Sequence, residues 1–340
     1  MSDILFAREG RIGIATLNRP QAMNAINRGM CVAYHRQLLE WSLEPEIAAI
    51  VIEGAGDKAF CAGGDIVALY HAGRAGSPDW ENFFFDEYRM NQAIGACAKP
   101  HVALIDGITM GGGVGLSIHG TYRVATERTK FAMPETGIGL IPDVGGTHAL
   151  PRLPGETGAW LALTGARLGG AECMAAGIAT HYTPSGNLPL LKERLAHSHE
   201  PIADVLATFD TDPGPDTLTP LRDGIDFHFS HDTVEDILLS LDDGDDWARE
   251  QARIIRTMSP TSCKLSLHGV REGAGDSLEA CLRREYRMVC AIRHGHDFFE
   301  GVRALLIDKD KQPRWDPADL ADVDIAPYLR APPSGDLHFA

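Results

Sequence analysis

Near the start of the chain the hydrophobic positions change period twice. Ile4 to Arg8 and Arg11 to Leu17 alternate apolar with polar residues and are rich in β-branched side chains, which predicts two strands joined at Glu9-Gly10 by a hairpin turn. From Met30 through Tyr34, Leu38 and Trp41 the large apolar residues recur at three- and four-residue spacing, predicting a helix capped by Asn27. IAAIVIEG, residues 47–54, is apolar almost without interruption and reads as a buried strand. The ββα rhythm returns with HVALIDG (101–107), the glycine-opened helical segment GGGVGLSIHG (111–120) and the short strand YRVAT (122–126). Strands with intervening helices and few hairpins place the chain in the α/β (α+β) class.

After about residue 185 the character changes. TDPGPD (211–216) and LDDGDDW (241–247) are acidic, turn-rich stretches between helical segments, and from Ser259 to Ile307 the period is helical again. The sequence therefore divides into a mixed core, residues 1–185, and a mostly helical C-terminal region, residues 186–340. With 340 residues, 44% hydrophobic and 23% charged, this is an ordinary globular balance, enough for one large domain or two smaller ones. A net charge of −16 repels polyphosphate and anionic lipid, so neither nucleic acid nor membrane is an expected partner. Seven cysteines, an odd number without a C-x-x-C pair, indicate neither a disulfide framework nor a cysteine zinc site. They point to a reducing compartment. The opening residues lack the layout of a secretion signal, and no uncharged run reaches membrane-spanning length, so the expected location is cytoplasmic.

Glycines cluster at the predicted strand ends, where backbone must approach a neighbour closely or take a positive φ, and the candidate chemistry lies there. GAGDKA (54–59) fits a dinucleotide-binding pattern, but FCAGGD follows where a helix should open. GLSIH (115–119) lacks the last glycine of a nucleophile elbow, which leaves Ser117 a helix-packing residue. Three other segments fit together. In KAFCAGGDI (58–66) a strand enters a small-residue loop that Asp65 closes as a helix cap, leaving Gly64 as a candidate outward amide. In GITMGGGVG (107–115) three glycines precede a helix, so their N–H groups lie at the positive end of its dipole, and Gly112 is the candidate second donor. Two converging amides stabilise a carbonyl oxygen as it becomes an enolate or a tetrahedral oxyanion. Close packing that tolerates only glycine explains either loop by itself equally well.

The third segment is FAMPETGIGLIPDVGGTHALPRL (131–153). Glu135 follows Pro134 and Asp143 follows Pro142, so each carboxylate is kept out of regular helix on a stiff turn. One such acid can activate water while the other orients it or protonates a leaving group, although an Asp ahead of a helical stretch also serves as an N-cap. His119 and His148 lack metal-ligand spacing, and Cys61, with no base paired to it in sequence, reads as a small packing residue.

Taken jointly, CAGGD, the glycine-opened helix and the MPE segment resemble the crotonase (enoyl-CoA hydratase/isomerase) superfamily. The resemblance implies a spiral of ββα turns with a helical C-terminal region, and an acyl-CoA thioester held between the amides of Gly64 and Gly112. It also implies homo-oligomers, trimers or pairs of trimers. LNRPQAMNAI (17–26) looks like the family's CoA-contacting loop, which puts Arg19, Met23 and Ala25, together with Ala62, near the coenzyme. The chain departs from the hydratases at two places: it has Gly115 where they carry a first catalytic glutamate, and Asp143 where they have glycine.

FFFDEYRMNQAI, PETGIGLIPDVGG, LALTGARLGG, SPTS and GHDFFEGVRALLIDKD resemble instead the 3-hydroxyisobutyryl-CoA hydrolases of valine breakdown, and this similarity spans nearly the whole chain. It implies that Glu87, Gly112, Glu135 and Asp143 surround the substrate, although Glu87 within DEYRM reads by itself as part of a solvated helix face. The implied reaction is hydrolysis of a short β-hydroxyacyl-CoA thioester. Glu135 would activate water or attack the carbonyl through a transient anhydride, and Asp143 would position water or the hydroxyl-bearing acyl group. The chemistry calls for no metal and no separate cofactor, coenzyme A being part of the substrate. Two alternatives stay open: a hydratase or isomerase of the same superfamily, and a catalytically silent acyl-CoA-binding or scaffold protein. Intact Glu135 and Asp143 weigh against the latter.

Overall fold

The computed structural model describes residues 2–339. The alternating N-terminal segments pair as an antiparallel hairpin of β1 (Ile4–Glu9) and β2 (Ile12–Leu17). The helix Arg28–Leu43 follows, and the Asn27 side chain accepts the Met30 N–H at 3.0 Å, as a cap residue does. β3 (Ala49–Gly54) and β4 (Ala59–Cys61) come next, then β5 (His101–Ile105), β6 (Ile108–Met110), β7 (Tyr122–Ala125), β8 (Lys130–Ala132) and β9 (His181–Tyr182). Two sheets result. One has six strands in the order β1-β2-β3-β5-β7-β9, parallel from β2 onward; the other has three parallel strands in the order β4-β6-β8. Ala49–Ile52 of β3 and Val102–Ile105 of β5 are apolar and buried, as strands inside a covered parallel sheet are.

The chain groups into two compact units that interleave in sequence. The first comprises the chain up to Gly64, Arg89–Ala132 and Arg167–Thr219; the second comprises Asp65–Tyr88, Met133–Ala166 and the chain from Pro220 onward. This grouping differs from a single division after residue 185. The helices Leu188–His197 and Ile202–Phe209 fall in the first unit because Leu191, Leu195, Val205 and Leu206 pack with Ile12, Val51, Val102, Leu104 and Val124 of the larger sheet. The mixed α/β (α+β) class expected from the sequence is the class observed.

The second unit is helical. Its core is built around Trp80, whose ring meets Phe84 and Phe298 edge-on at centroid distances of 5.3 and 4.7 Å and whose indole N–H donates to the Val289 carbonyl at 3.0 Å. Truncating a tryptophan so enclosed costs about 3–5 kcal/mol. The helix Thr157–Thr164 is buried on every side, which accounts for the apolar run Ala159–Leu163 between its two threonines. Among the described residues no helix is long and apolar enough to cross a membrane, and all seven cysteines are free thiols.

Candidate active site

In the first unit two strand ends of the smaller sheet lie side by side. β4 delivers the chain to Ala62, Gly63 and Gly64, and its neighbour β6 delivers it to the glycine triplet, so that a Cβ at Gly63 would stand 3.7 Å from the Gly112 nitrogen. Asp65 caps the next helix, accepting the Ala68 N–H at 3.2 Å. The triplet divides its duties. Gly111 takes φ 47°, Gly112 is the first residue of the helix Gly112–Ser117 and therefore has no intrahelical acceptor for its N–H, and a Cβ on Gly113 would lie 2.3 Å from the Cys61 carbonyl oxygen. Close packing thus explains Gly113, while Gly112, buried like it, opens the helix with its N–H uncommitted to that helix. The Ser117 hydroxyl is turned back onto the Gly113 and Val114 carbonyls at 3.0 Å, in keeping with a packing role.

The loop ahead of the first helix is pinned to the same place. The Ala62 N–H donates to the Met23 carbonyl at 3.0 Å and the Ile26 N–H to the Gly63 carbonyl at 2.9 Å. Asn24, which the sequence reading passed over, holds this loop from inside: its Oδ1 accepts the Arg19 N–H at 3.0 Å and its Nδ2 donates to the Ala55 and Ala59 carbonyls. Arg19 donates to the Ala25 carbonyl at 2.7 Å, Ala25 is half-buried and the Met23 side chain is 45% exposed. Arg19, Met23, Ala25 and Ala62 are therefore brought together with Gly64 on one face-forming loop pair.

The second unit holds the acids. After Pro134 the chain makes a 3-10 turn, Glu135–Ile138, closed by the Leu140 N–H on the Glu135 carbonyl at 3.0 Å. Gly139 ends that turn at φ 71° and approaches Asp297 so closely that a Cβ would meet its backbone at 2.3 Å. The Asp143 turn is tighter. Val144 sits at φ 54°, a left-handed backbone that costs a β-branched residue on the order of 1–3 kcal/mol. The cap position of the following helix, Gly146–Ala149, is Gly145 and not Asp143. Asp143 instead receives the Tyr88 hydroxyl on Oδ2 at 2.6 Å.

Glu87 is buried, not solvated. The helix Asp79–Gly95 buries Trp80, Phe83, Phe84 and Tyr88, and Glu87 shares their stripe. That phase was the signal available in sequence: positions 80, 84, 87 and 88 lie on one face of a helix. Glu87, Glu135, Asp143 and Glu285 are 2%, 6%, 4% and 0% exposed. Burial lifts the pKa of each, and the carboxylates lift one another: Asp143, Glu135 and Glu285 act on Glu87, and Asp143 acts on Glu135. Glu87 and Glu135 stand well above the usual carboxylate range. Asp143 is pushed up to about 7 by burial and by Glu285, against the pull of the Tyr88 hydrogen bond. Among the described residues Glu87 Oε1 and Glu135 Oε2 have no hydrogen-bond partner, so both oxygens can accept from a bound molecule. Acids of unequal proton affinity in one buried place suit proton transfer to and from a bound substrate.

Residues 12–328 match the model of the enoyl-CoA hydratase/isomerase family. The chain is 50% identical to the mitochondrial 3-hydroxyisobutyryl-CoA hydrolase of Rattus norvegicus, over 99% of this chain and 91% of that protein. It is 48% identical to the Homo sapiens protein of the same name, again over 99% and 91%. Among solved structures it is similar to a carnitinyl-CoA dehydratase from Mycobacterium thermoresistibile, with TM-score 0.94, 41% identity and coverage of 100% and 99% of the two chains. It is also similar to an enoyl-CoA hydratase from Rhodobacter sphaeroides, with TM-score 0.92, 39% identity and coverage of 99% and 100%. The relatives correct one expectation: the rat and human hydrolases are mitochondrial, against the cytoplasmic location read from the cysteines and the opening residues. Cysteine usage reports a redox environment and not an address.

Proposed function

The chain belongs to the enoyl-CoA hydratase/isomerase family, and on that premise we propose that it hydrolyses the thioester of a short β-hydroxyacyl-CoA, above all 3-hydroxyisobutyryl-CoA. The observation that carries the reading is the Glu135/Asp143 pair: a buried glutamate with a free oxygen and an aspartate whose other oxygen is held by Tyr88. In this account the Gly64 and Gly112 amides receive the thioester oxygen as negative charge develops on it. Arg19, Met23, Ala25 and Ala62 contact coenzyme A, and Glu87 contacts the acyl group.

Two routes give the same products. As general base, Glu135 takes a proton from water while the water oxygen bonds to the thioester carbon; the C–S bond then breaks and the proton passes to the departing thiolate. As nucleophile, Glu135 itself bonds to the carbon and expels the thiolate, and water afterwards cleaves the anhydride to regenerate the carboxylate. Either way Glu135 acts ionised, and its raised proton affinity makes it a strong base once the proton is gone. Asp143 orients the water or the substrate hydroxyl. Neither route asks for a metal or a separate cofactor. The same proposal places the protein in branched-chain, valine-type degradation, and takes it to be a homo-oligomer, trimeric or hexameric, which light scattering in solution tests.

The names of the structural relatives favour a second reading, hydration of an enoyl-CoA double bond. Against it, the position of the hydratases' first glutamate is Gly115, buried within the helix Gly112–Ser117 and unable to supply a proton. A panel of acyl-CoA esters separates the two. The proposal expects free thiol from 3-hydroxyisobutyryl-CoA and 3-hydroxypropionyl-CoA, whose one-methyl difference is worth about 1–3 kcal/mol in an apolar pocket, and no hydration of crotonyl-CoA.

A further inference from the structure

The strained turn that carries Asp143 is held from a distant part of the chain. Glu285, in the helix Leu278–Ile292, is fully buried and accepts from the Gly145 N–H on Oε2 at 2.7 Å, from the Thr147 N–H on Oε1 at 2.9 Å and from the Thr147 hydroxyl on Oε1 at 2.6 Å. On the other side, the helix Pro260–Gly273 closes on Thr147: a Cβ at Gly269 would come within 2.6 Å of its Cγ2, and one at Gly273 within 1.8 Å of its carbonyl oxygen. Val144, at φ 54°, precedes the two residues so held. An apolar side chain in its place would leave the Gly145 and Thr147 N–H groups and the Thr147 hydroxyl buried without this acceptor. The chemistry proposed above does not touch Glu285, so its charge has another use.

We propose that Glu285 is a positioning residue: by accepting the N–H groups of Gly145 and Thr147 it fixes the turn at Val144 in the one form that presents Asp143 to Tyr88. The inference rests on the hydrolase reading and deepens it. Asp143 is faced by the Tyr88 hydroxyl and by the carboxyl groups of Glu87, Glu135 and Glu285. Glu285 is faced by Arg284, and Cys281 lies beside it and Thr147. On the turn's own helix, half-buried His148 faces Arg152. Glu285 therefore has a second effect, since its negative charge makes Asp143 harder to ionise.

Two variants separate geometry from charge. Glu285→Gln keeps the shape, loses the charge and sets an amide group where one N–H must be accepted; Glu285→Asp keeps the charge and draws the oxygens back. The Asp143 carboxyl is followed by carbon-13 NMR, its signal assigned by its loss in Asp143→Asn, alongside the pH profile of thiol release. In Glu285→Gln the Asp143 midpoint falls by about half a unit or more, because a like charge has gone. Its kcat falls about tenfold or more with KM within about threefold, as a misplaced catalytic group requires. In Glu285→Asp the midpoint holds while kcat falls. Unchanged kcat in Glu285→Gln overturns the proposal whatever the midpoint does, and an unmoved midpoint overturns the charge effect. Should Glu285→Gln not fold, Thr147→Val, which deletes one donor and keeps the charge, must lower kcat without moving the midpoint; unchanged kcat there overturns the proposal too. The midpoint is read without turnover, so a wild-type protein that releases no thiol sinks the hydrolase reading, while an unmoved Asp143 midpoint in Glu285→Gln separately overturns the charge effect.

Discussion

The Tyr88 hydroxyl donates to Asp143 Oδ2 across 2.6 Å, and both side chains are buried. A phenol in this position stabilises the ionised aspartate, fixes which of its oxygens stays available, and is itself kept protonated by burial and by the neighbouring negative charge. Tyr88→Phe removes the donor with little change of shape. Asp143 then holds its proton to higher pH, so the acidic limb of the thiol-release profile moves to higher pH, and turnover at pH 6 falls by about tenfold or more, while at pH 9 most of it returns. An unshifted limb would show that Asp143 does not have to be ionised.

The clustered acids also make a prediction about stability. Glu87, Glu135 and Asp143 bind protons more tightly in the folded chain than in the unfolded one. Above the unfolded-state pKa of about 4 the folded state carries the extra proton, so stability falls as pH rises and goes on falling until the folded groups have ionised. Glu135→Gln removes one of these groups. Its melting temperature therefore exceeds the wild type's at pH 8, by about 2–4 °C for each kcal/mol relieved, and the gap closes as pH approaches about 4. A gap that widened toward acid would mean that the carboxylates are stabilised, not penalised, by the fold.

The glycine triplet separates catalysis from packing. Gly112→Val crowds the proposed carbonyl position and lowers turnover by about 10²-fold, the scale of one lost oxyanion donor. Gly113→Ala sets a Cβ against the Cys61 carbonyl oxygen, 2.3 Å away before any adjustment, and is read first in a lower melting temperature. Thermal midpoint and thiol release measured on both variants test the division; normal turnover in Gly112→Val would move the carbonyl elsewhere.

Asp143→Asn keeps size and most hydrogen bonding but loses charge. Since Gly145 and not Asp143 occupies the cap position, the capping explanation for this residue falls away, and with it any reason for the variant to melt early on that account. Turnover drops by about 10²–10⁴-fold, the range of a positioned acid or base, with a melting temperature no lower than the wild type's. Asp143→Gly, which matches the hydratases at this position, yields no hydration of crotonyl-CoA, because Gly115 still supplies no acid.

Much of this was legible in the sequence because it is local. The hairpin, the Asn27 cap, the Asp65 cap and the glycine-opened helix each follow from neighbouring residues, and each stands in the fold as read. The motif segments could be named, but their surroundings could not. Glu87 looks like a surface residue until the aromatic stripe beside it is phased, and Tyr88 gains its meaning only from a partner 55 positions away. Glu285 is 138 and 140 residues from the backbone it holds, a distance no periodicity reports. The helices Leu188–His197 and Ile202–Phe209 follow the same rule: their apolar faces say that they pack, and only the fold shows that they pack on the larger sheet.

Glu135 stands at the centre of the proposed hydrolysis, and free thiol released from 3-hydroxyisobutyryl-CoA by the wild-type protein and by Glu135→Gln, with substrate binding measured on both, reads its role. The wild type turns over, the variant does not, and affinity for the CoA ester stays within about a few-fold, since the carboxylate acts in the transition state and not in ground-state binding. Retained thiol release in Glu135→Gln, or a wild-type protein that hydrates crotonyl-CoA and releases no thiol, would contradict this role.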